Sequence, residues 1–250
     1  YAILGEATDV RELVVNDPLL NIKGDQQPVD MPLQVLLGGT PKMQRSFSRS
    51  TPTLQALNLD KVDLAEAVKD VLRHPTVASK SFLISIGDRS ITGMVVRDQY
   101  VGRYQVPVAD CAVTASALIP VDGKPMTGEA MSMGERTPVA LINPAASARL
   151  AVAEAITNIA GANIAKLSDI TLSANWMAAC GEDKEDQALF DAVYAVGEAL
   201  CPALGIAIPV GKDSLSMRAN WSDEQVNKSV VSPMSLVITA FAPVQDVTKT

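Results

Sequence analysis

Runs of residues that predict β-strands alternate with longer segments that predict helices along most of this chain. The strand-like runs include SFLISI, ITGMVV, YQVPVADCAVTASAL, SDITLSANWM and SPMSLVITAFAPV, whereas GEAMSMGE and TPVALI lead into the first long helix. Among the later runs, residues 143–161 and about 185–200 have the apolar spacing and the end signals of helices. This alternation constrains the chain to an α/β fold in the broad sense, in which helices pack against a sheet.

The beginning of the chain is predicted to belong to other parts of the structure. Three apolar runs, AILG, ELVV and PLQVLLG, are separated by turn residues and predict strands. A linker rich in Gly, Pro, Ser, Thr and Arg is predicted over 38–53, and LDKVDLAEAVKDVLRHP then has helical spacing that ends at His74. We expect residues 1–50 to be the end of a preceding domain with its linker, 51–75 the connecting helix, and 76–250 the main domain. Because the chain starts with Tyr inside an apolar run, we expect it to be cut from a longer protein.

Composition excludes several classes of function. The formal net charge is -7, the isoelectric point is near 4.8, and Lys and Arg form no cluster, which argues against a nucleic-acid surface. No apolar run approaches the length of about 18 residues that a membrane span requires, so we expect a cytoplasmic protein. The only histidine, His74, precedes a proline at a predicted helix end, where we expect a structural capping role. The three cysteines are widely spaced, which favours reduced, packed thiols over disulfides or zinc ligands.

The helix predicted after residue 143 carries two polar residues in an otherwise small and aliphatic segment. Asn143 and Pro144 supply a cap and a first helical residue, and Gly161 offers a stop. Glu154 and Asn158 lie four residues apart, so both side chains point from the same face of the helix. Ordinary solvated positions are one interpretation of this pair.

A metal site is the other interpretation. Carboxylate and amide oxygens are hard ligands that suit Mg²⁺, which completes its shell with waters and phosphate oxygens. The same helical face carries the small residues Ser147 and Gly161 and no Lys, Arg or Gln, which favours ligation. Asp110 falls inside the strand-like run PVADCAVT, where an acid must cap a turn or meet a cation, and it is a possible third ligand.

Two further features are weaker. VGKDSLSM resembles the end of a phosphate loop, but Ile206 stands where the first glycine is required and Asp213 where a hydroxyl is required. We therefore reject a phosphate loop, although Lys212, Asp213 and Ser214 could still line an anionic site. Lys80 opens a predicted strand and, taken alone, would be a surface residue.

The sequence as a whole resembles a known family. From Lys80 to Met217 it is similar to the second of the two repeated synthase halves of large phosphoribosylformylglycinamidine synthase. YAILGEAT and VDMPLQVLLGGTPKM extend the likeness into the end of the preceding domain, whereas ALIPVDGKPMT looks like a loop insertion. The main motifs that carry the resemblance are SFLISIGDRSITGMVVRDQ, QVPVADCAVTAS, GEAMSMGERTPVAL, ARLAVAEAITNIA, LSANWMAACGEDKEDQALFDAV, GEALCPALG and IPVGKDSLSM.

The resemblance implies both a fold and an activity. The fold is the aminoimidazole ribonucleotide synthetase N-terminal-like domain, of the α+β type, with a mixed sheet packed by helices and paired through its sheet with a partner domain. The activity is that of a carbon–nitrogen ligase of purine biosynthesis. ATP phosphorylates the amide oxygen of formylglycinamide ribonucleotide, and ammonia from a glutaminase domain displaces the phosphate. Such phosphoryl transfer depends on positioning and charge neutralisation, so it requires no histidine.

The resemblance also assigns residues. It implies a tightly bound, auxiliary ADP with Mg²⁺, with Asp110, Glu154 and Asn158 as metal ligands and Lys80 and Ala109 in contact with the nucleotide. A further metal ligand would lie beyond the last residue of this chain. We therefore expect no catalytic residues in this fragment, which would act with the first synthase half, the succeeding domain and the glutaminase of its parent chain. A non-catalytic assembly module, a homodimer of the fragment, and a stand-alone relative that phosphorylates another substrate are the alternatives.

Overall fold

The structure is a computed structural model that describes residues 1–19, 27–39, 44–87, 89–91 and 93–250, with the side chain of Asp183 excepted. It divides into two units, Tyr1–Arg45 and Ser46–Thr250. Part of the linker predicted over 38–53 lies outside the described residues.

The first unit contains one strand pair and a short helix. Strand β1 (Glu12–Val15) pairs antiparallel with β2 (Val29–Pro32), and α1 (Leu33–Leu37) follows directly. The strand predicted at ELVV is therefore confirmed. The other two predictions are wrong, because residues 2–5 have no regular secondary structure and PLQVLLG forms α1. Short apolar runs fit a helical turn as well as a strand, and their periodicity does not separate the two.

The second unit begins with two exposed helices, α2 (Leu64–Arg73) and α3 (Ser81–Ile86). The end of α2 is as predicted, since the backbone N–H of His74 donates to the carbonyl of Val71 and its Nδ1 accepts from Thr76 N–H at 3.2 Å. The strand predicted at SFLISI is wrong, because this run forms α3. Its first turn closes on the Lys80 carbonyl, which accepts from Leu83 N–H at 2.9 Å.

A mixed sheet of six strands forms the centre of the second unit, in the order β3-β4-β5-β10-β6-β7. All neighbouring pairs are antiparallel except β6 and β7, which are parallel. A separate antiparallel hairpin consists of β8 and β9. The strands are β3 (Val95–Arg97), β4 (Cys111–Ala115), β5 (Gly128–Glu135), β6 (Thr171–Met177), β7 (Ala207–Ser214), β8 (Arg218–Asp223), β9 (Val226–Val231) and β10 (Ser235–Val244).

Two long helical segments accompany this sheet. Helix α4 (Pro144–Ile159) begins as predicted, with the Asn143 side chain accepting from Ala146 N–H at 2.9 Å. Helix α5 (Asp183–Val193) continues through a π-helical stretch, Tyr194–Leu200, into α6 (Cys201–Leu204). The predicted α/β fold, a mixed sheet packed by helices, is confirmed.

The core lies between α4 and one face of the sheet. Alternate residues of β5 and β10 are buried beneath the helix, and those of β5 are all small (Gly128, Ala130, Ser132 and Gly134), which lets the elements approach closely. The opposite face of the sheet is more open, and Met131 and Met133 are 43% and 58% exposed there. No helix within the described part of the chain has both the length and the apolarity to cross a bilayer.

Candidate functional site

A cavity of about 680 Å³ lies beside the edge strand β3 and its neighbour β4 and reaches the end of α4. Three of the predicted site residues line it: Ala109, Asp110 and Asn158. Ala109 is held by its backbone N–H, which donates to the carbonyl of Gln99 at 2.8 Å. The fold therefore brings together residues that are far apart in sequence, from the entry to β4 and from the last turn of α4.

Asn158 has a defined orientation in this cavity. Its Nδ2 donates to the carbonyl of Met133 on β5 at 2.9 Å, so the side chain is fixed by the backbone of the neighbouring strand. The amide oxygen is then directed away from that carbonyl. This hydrogen bond engages the amide nitrogen and leaves the amide oxygen as the acceptor that a hard cation would require.

Asp110 lies just outside β4 and is exposed, so it is not an unpaired buried acid. The next residue, Cys111, is only 4% exposed. Burial raises the pKa of the Cys111 thiol above its ordinary value; the Asp110 carboxylate adds to this effect and the Arg97 guanidinium opposes it. The carboxylate, the guanidinium and a protonated thiol thus lie close together at this end of the cavity.

Glu154 contacts the end of β5 and is not among the described residues that line the cavity. Its Oε2 accepts from Glu135 N–H at 2.8 Å and from Arg136 Nη1 at 2.9 Å, and its side chain is 26% exposed. The sequence showed no cation on this face of the helix, because Arg136 belongs to the connection that follows β5 and not to α4. The sequence signal for this ion pair was the short connection between β5 and α4, which keeps Arg136 close to the helix.

Lys80 also lies outside the described cavity lining. It immediately precedes α3, is exposed, and its Nζ donates to the carbonyl of Ala78 at 2.5 Å. Lys212, Asp213 and Ser214 lie on the edge strand β7 and are exposed. Their strand continues towards the β8–β9 hairpin and not into a helix, which agrees with the rejection of a phosphate loop.

A polar network that the sequence did not predict forms another wall of the cavity. Asp98 pairs with Arg89 Nη2 at 2.6 Å and accepts from Ser90 Oγ at 2.9 Å. The hydrogen bond from Ser90, together with the Gln99 backbone N–H and Arg89, lowers the pKa of Asp98. The Arg89 guanidinium also lies 4.7 Å from the centre of the Tyr100 ring. The sequence signal for this network was the position of Asp98 directly after β3, with Arg89 shortly before that strand.

The donor set fits a hard cation in its chemistry. Asp110 supplies a carboxylate and Asn158 an oriented amide oxygen, while Glu154 has one oxygen, Oε2, already held by β5 and Arg136. In the ranges that the structure describes, no three or more His, Cys, Asp and Glu side chains are grouped as metal ligands. Metal ligation by Asp110, Glu154 and Asn158 stays a prediction.

The fold and its cavity define a mixed α/β domain with a one-sided helical layer. The model of the FGAR-AT PurM_N-like domain matches residues 79–243, and the chain belongs to this family. The resemblance to phosphoribosylformylglycinamidine synthases is thereby confirmed at the level of the family.

Solved structures with a similar fold include three of Thermotoga maritima. They are PurLQS (16% identity, TM-score 0.45), PurL complexed with ATP (16%, 0.43) and PurL complexed with ADP (17%, 0.42). Each match covers 88% of this chain. The chain spans about 30% of the length of these structures.

Proposed function

We propose that this chain is part of a phosphoribosylformylglycinamidine synthase, the ATP- and glutamine-dependent ligase that converts formylglycinamide ribonucleotide to formylglycinamidine ribonucleotide. The observation that carries the proposal is the family match over residues 79–243. The parent enzyme acts in the cytoplasm in purine biosynthesis. The first synthase half, the succeeding domain and the glutaminase are the partners of this part.

Within that enzyme, the cavity beside β4 holds the auxiliary ADP and Mg²⁺. Asp110 and Asn158 bind the metal through side-chain oxygens, and Glu154 contributes the oxygen that β5 and Arg136 do not engage. Ala109 contacts the nucleotide, and Lys80 adds a positive charge for its phosphates. When bound, Mg²⁺ neutralises phosphate charge. The support for this assignment is that Ala109, Asp110 and Asn158 line the same cavity and that Asn158 is already oriented.

Binding of ADP with Mg²⁺ should raise the melting temperature of the chain. A ligand that binds only the folded state adds about 2.7 kcal/mol of stability at a concentration one hundred times its Kd. We expect Asp110→Asn and Glu154→Ala to reduce this shift, measured by differential scanning fluorimetry with and without Mg²⁺. Asp122→Asn removes an equivalent charge from an exposed loop and should keep the full shift.

The comparison uses the ligand-induced shift because Glu154→Ala also removes the contacts with Glu135 and Arg136 and lowers the starting stability. An unshifted melting temperature in the unsubstituted chain, with Mg²⁺ and ADP both in excess, would overturn the auxiliary site. An equal shift in Asp110→Asn and Asp122→Asn would overturn the assignment of Asp110.

The isolated chain should not catalyse the synthase reaction. We expect no formylglycinamidine ribonucleotide when the chain is mixed with ATP, Mg²⁺, ammonia and formylglycinamide ribonucleotide, because the catalytic residues belong to other parts of the parent enzyme. Product is measured by chromatography, with the complete enzyme as the positive control. Product formed by the purified chain at a rate above the uncatalysed background would contradict this prediction.

A non-catalytic assembly module is the second candidate. The observation that favours it is the open face of the sheet, where Met131 and Met133 are partly exposed. In this function the face pairs with another domain of the parent enzyme, or with a second copy of this fragment. Assembly that occurs equally with and without ADP and Mg²⁺ would favour this candidate over a nucleotide-dependent role.

A further inference from the structure

The outer face of α5 carries an unusual set of side chains for an exposed helix. Gln187 lies three and four residues before Phe190 and Asp191, and both of these lie within four residues of Tyr194, the first residue after α5, so the four side chains share one face. The rings of Phe190 and Tyr194 stack, with centres 6.3 Å apart and planes inclined by 19°. They are nevertheless 50% and 59% exposed. One helix face thus offers two aromatic rings, a carboxylate and an amide.

Residues 46–50 lie across this face, and their side chains and backbone contact its rings, its carboxylate and its amide. Phe47 contacts Phe190, with ring centres 5.6 Å apart. The Arg49 guanidinium lies 5.5 Å from the Phe47 ring centre and 5.9 Å from that of Phe190, both within the range of cation–π attraction. Its Nη1 also lies 3.0 Å from an oxygen of Asp191. An aromatic residue and an arginine two positions apart therefore meet rings and a carboxylate.

Gln187 recognises the backbone of the same segment. Its Oε1 accepts from Ser50 N–H at 2.8 Å, and its Nε2 donates to the Ser50 carbonyl at 3.0 Å. A single side-chain amide thus pairs with both polar groups of one residue, as a neighbouring strand would. Such paired contacts fix the position of an extended segment along the helix and not only its proximity.

We infer that this face of α5 is a recognition site for an extended aromatic–basic segment, and that residues 46–50 of the same chain occupy it as a latch. The latch lies outside the family match, which begins at residue 79, whereas α5 lies inside it. Ser50 and Gln187 are 137 positions apart in sequence. The latch therefore attaches the upstream connection to the domain at a specific place on its surface.

Hydrogen exchange at the Ser50 amide tests the latch in the full chain. We expect this amide to be protected in the unsubstituted protein and to exchange about tenfold faster in Gln187→Ala, since both hydrogen bonds between Gln187 and Ser50 are lost. Glu198→Gln removes an exposed carboxylate from the same helical run and should leave Ser50 protected. An unprotected Ser50 amide in the unsubstituted chain, or equal protection in Gln187→Ala, would overturn the inference.

The ionic and aromatic contacts are tested by a double-mutant cycle on the same readout. Arg49→Met and Asp191→Asn should each speed exchange at Ser50, and the double variant should exchange no faster than the more affected single variant, because the two groups act on each other.

Trypsin gives a second measurement. Cleavage after Arg49 should accelerate in Gln187→Ala while cleavage after Arg45 does not change. Additive effects in the cycle, or equal acceleration at both bonds, would contradict a specific latch.

Discussion

Gly134 is the residue that most tightly limits the surroundings of the candidate site. It lies on β5, where a Cβ would stand 2.1 Å from the carbonyl oxygen of Ala151 and 2.5 Å from the backbone nitrogen of Ala155. Both atoms belong to the backbone of α4, which cannot move aside without shifting the helix. The absence of a side chain at Gly134 is therefore what allows α4, with Glu154 and Asn158, to lie directly on the strand.

We expect Gly134→Ala to lower the free energy of unfolding by about 3 kcal/mol, the upper range for overpacking of a core. Urea denaturation monitored by circular dichroism measures the change. Gly197→Ala is the matched control, because a Cβ there meets nothing within 4 Å, and alanine in place of glycine in a helical run should stabilise it by up to about 1 kcal/mol. Equal stability of Gly134→Ala and the unsubstituted chain would show that helix and strand are less close than described.

Glu154 shows what sequence reasoning could and could not predict at single residues. Helical spacing correctly placed Glu154 and Asn158 on one face and gave the cap at Asn143. It did not predict Arg136, because spacing along a helix reports only neighbours on that helix. The contact of Asn158 with a carbonyl of β5 was hidden for the same reason. Residue types and local period indicate candidate ligands. The groups that hydrogen-bond to those ligands, and so compete with a metal, come from neighbouring elements and are not visible in the local pattern.

Among the elements, α4 carries both candidate ligands, and its first turn depends on Asn143. That side chain satisfies Ala146 N–H, one of the donors that lack a partner within the helix. We expect Asn143→Ala to lower the free energy of unfolding by about 1 kcal/mol. Asn143→Asp keeps an oxygen acceptor and should retain most of the stability. Urea denaturation gives both values, and two variants of equal stability would show that the cap contributes nothing.

The elements also differ in how well their sequences specified them. Long segments such as α4 and β10 were predicted correctly, because many positions repeat the same period. SFLISI formed α3 where a strand was expected, since six largely apolar residues fit either state. The state that forms agrees with the surroundings of the segment, because Phe82, Leu83 and Ile86 are all more than half exposed and no strand in the described ranges pairs with them.

At the scale of the whole molecule, the strand order could not be derived from local pattern. The last strand along the chain, β10, lies in the middle of the sheet between β5 and β6. This non-local pairing closes the core beneath α4 and brings the entry to β4 near the end of that helix. The candidate cavity therefore follows from topology. Residue types and helical spacing suggested Asp110 and Asn158 as possible ligands of one ion and the resemblance to a family supported them, whereas alternation alone predicted only the fold class.

Within the residues that the structure describes, one face of the sheet is without a helical layer, and we expect the chain to dimerise through it. The central strand β10 places Thr239 on that face, opposite Met133 of β5 and Ser173 of β6. Apolar surface of this kind tends to be covered by a partner. Thr239→Glu would add a carboxylate at the centre of each copy, where two like charges would meet with little access to water.

Sedimentation velocity over a range of protein concentrations measures the association. We expect the unsubstituted chain to be dimeric and Thr239→Glu to be monomeric at the same concentration. Leu118→Glu, which changes an exposed loop residue to the same acid, should remain dimeric. A monomer at every concentration, or a dimer that both variants retain equally, would show that this face is not the site of self-association. The former result would be consistent with a face reserved for another domain of the parent enzyme, and the latter would place the contact elsewhere on the surface.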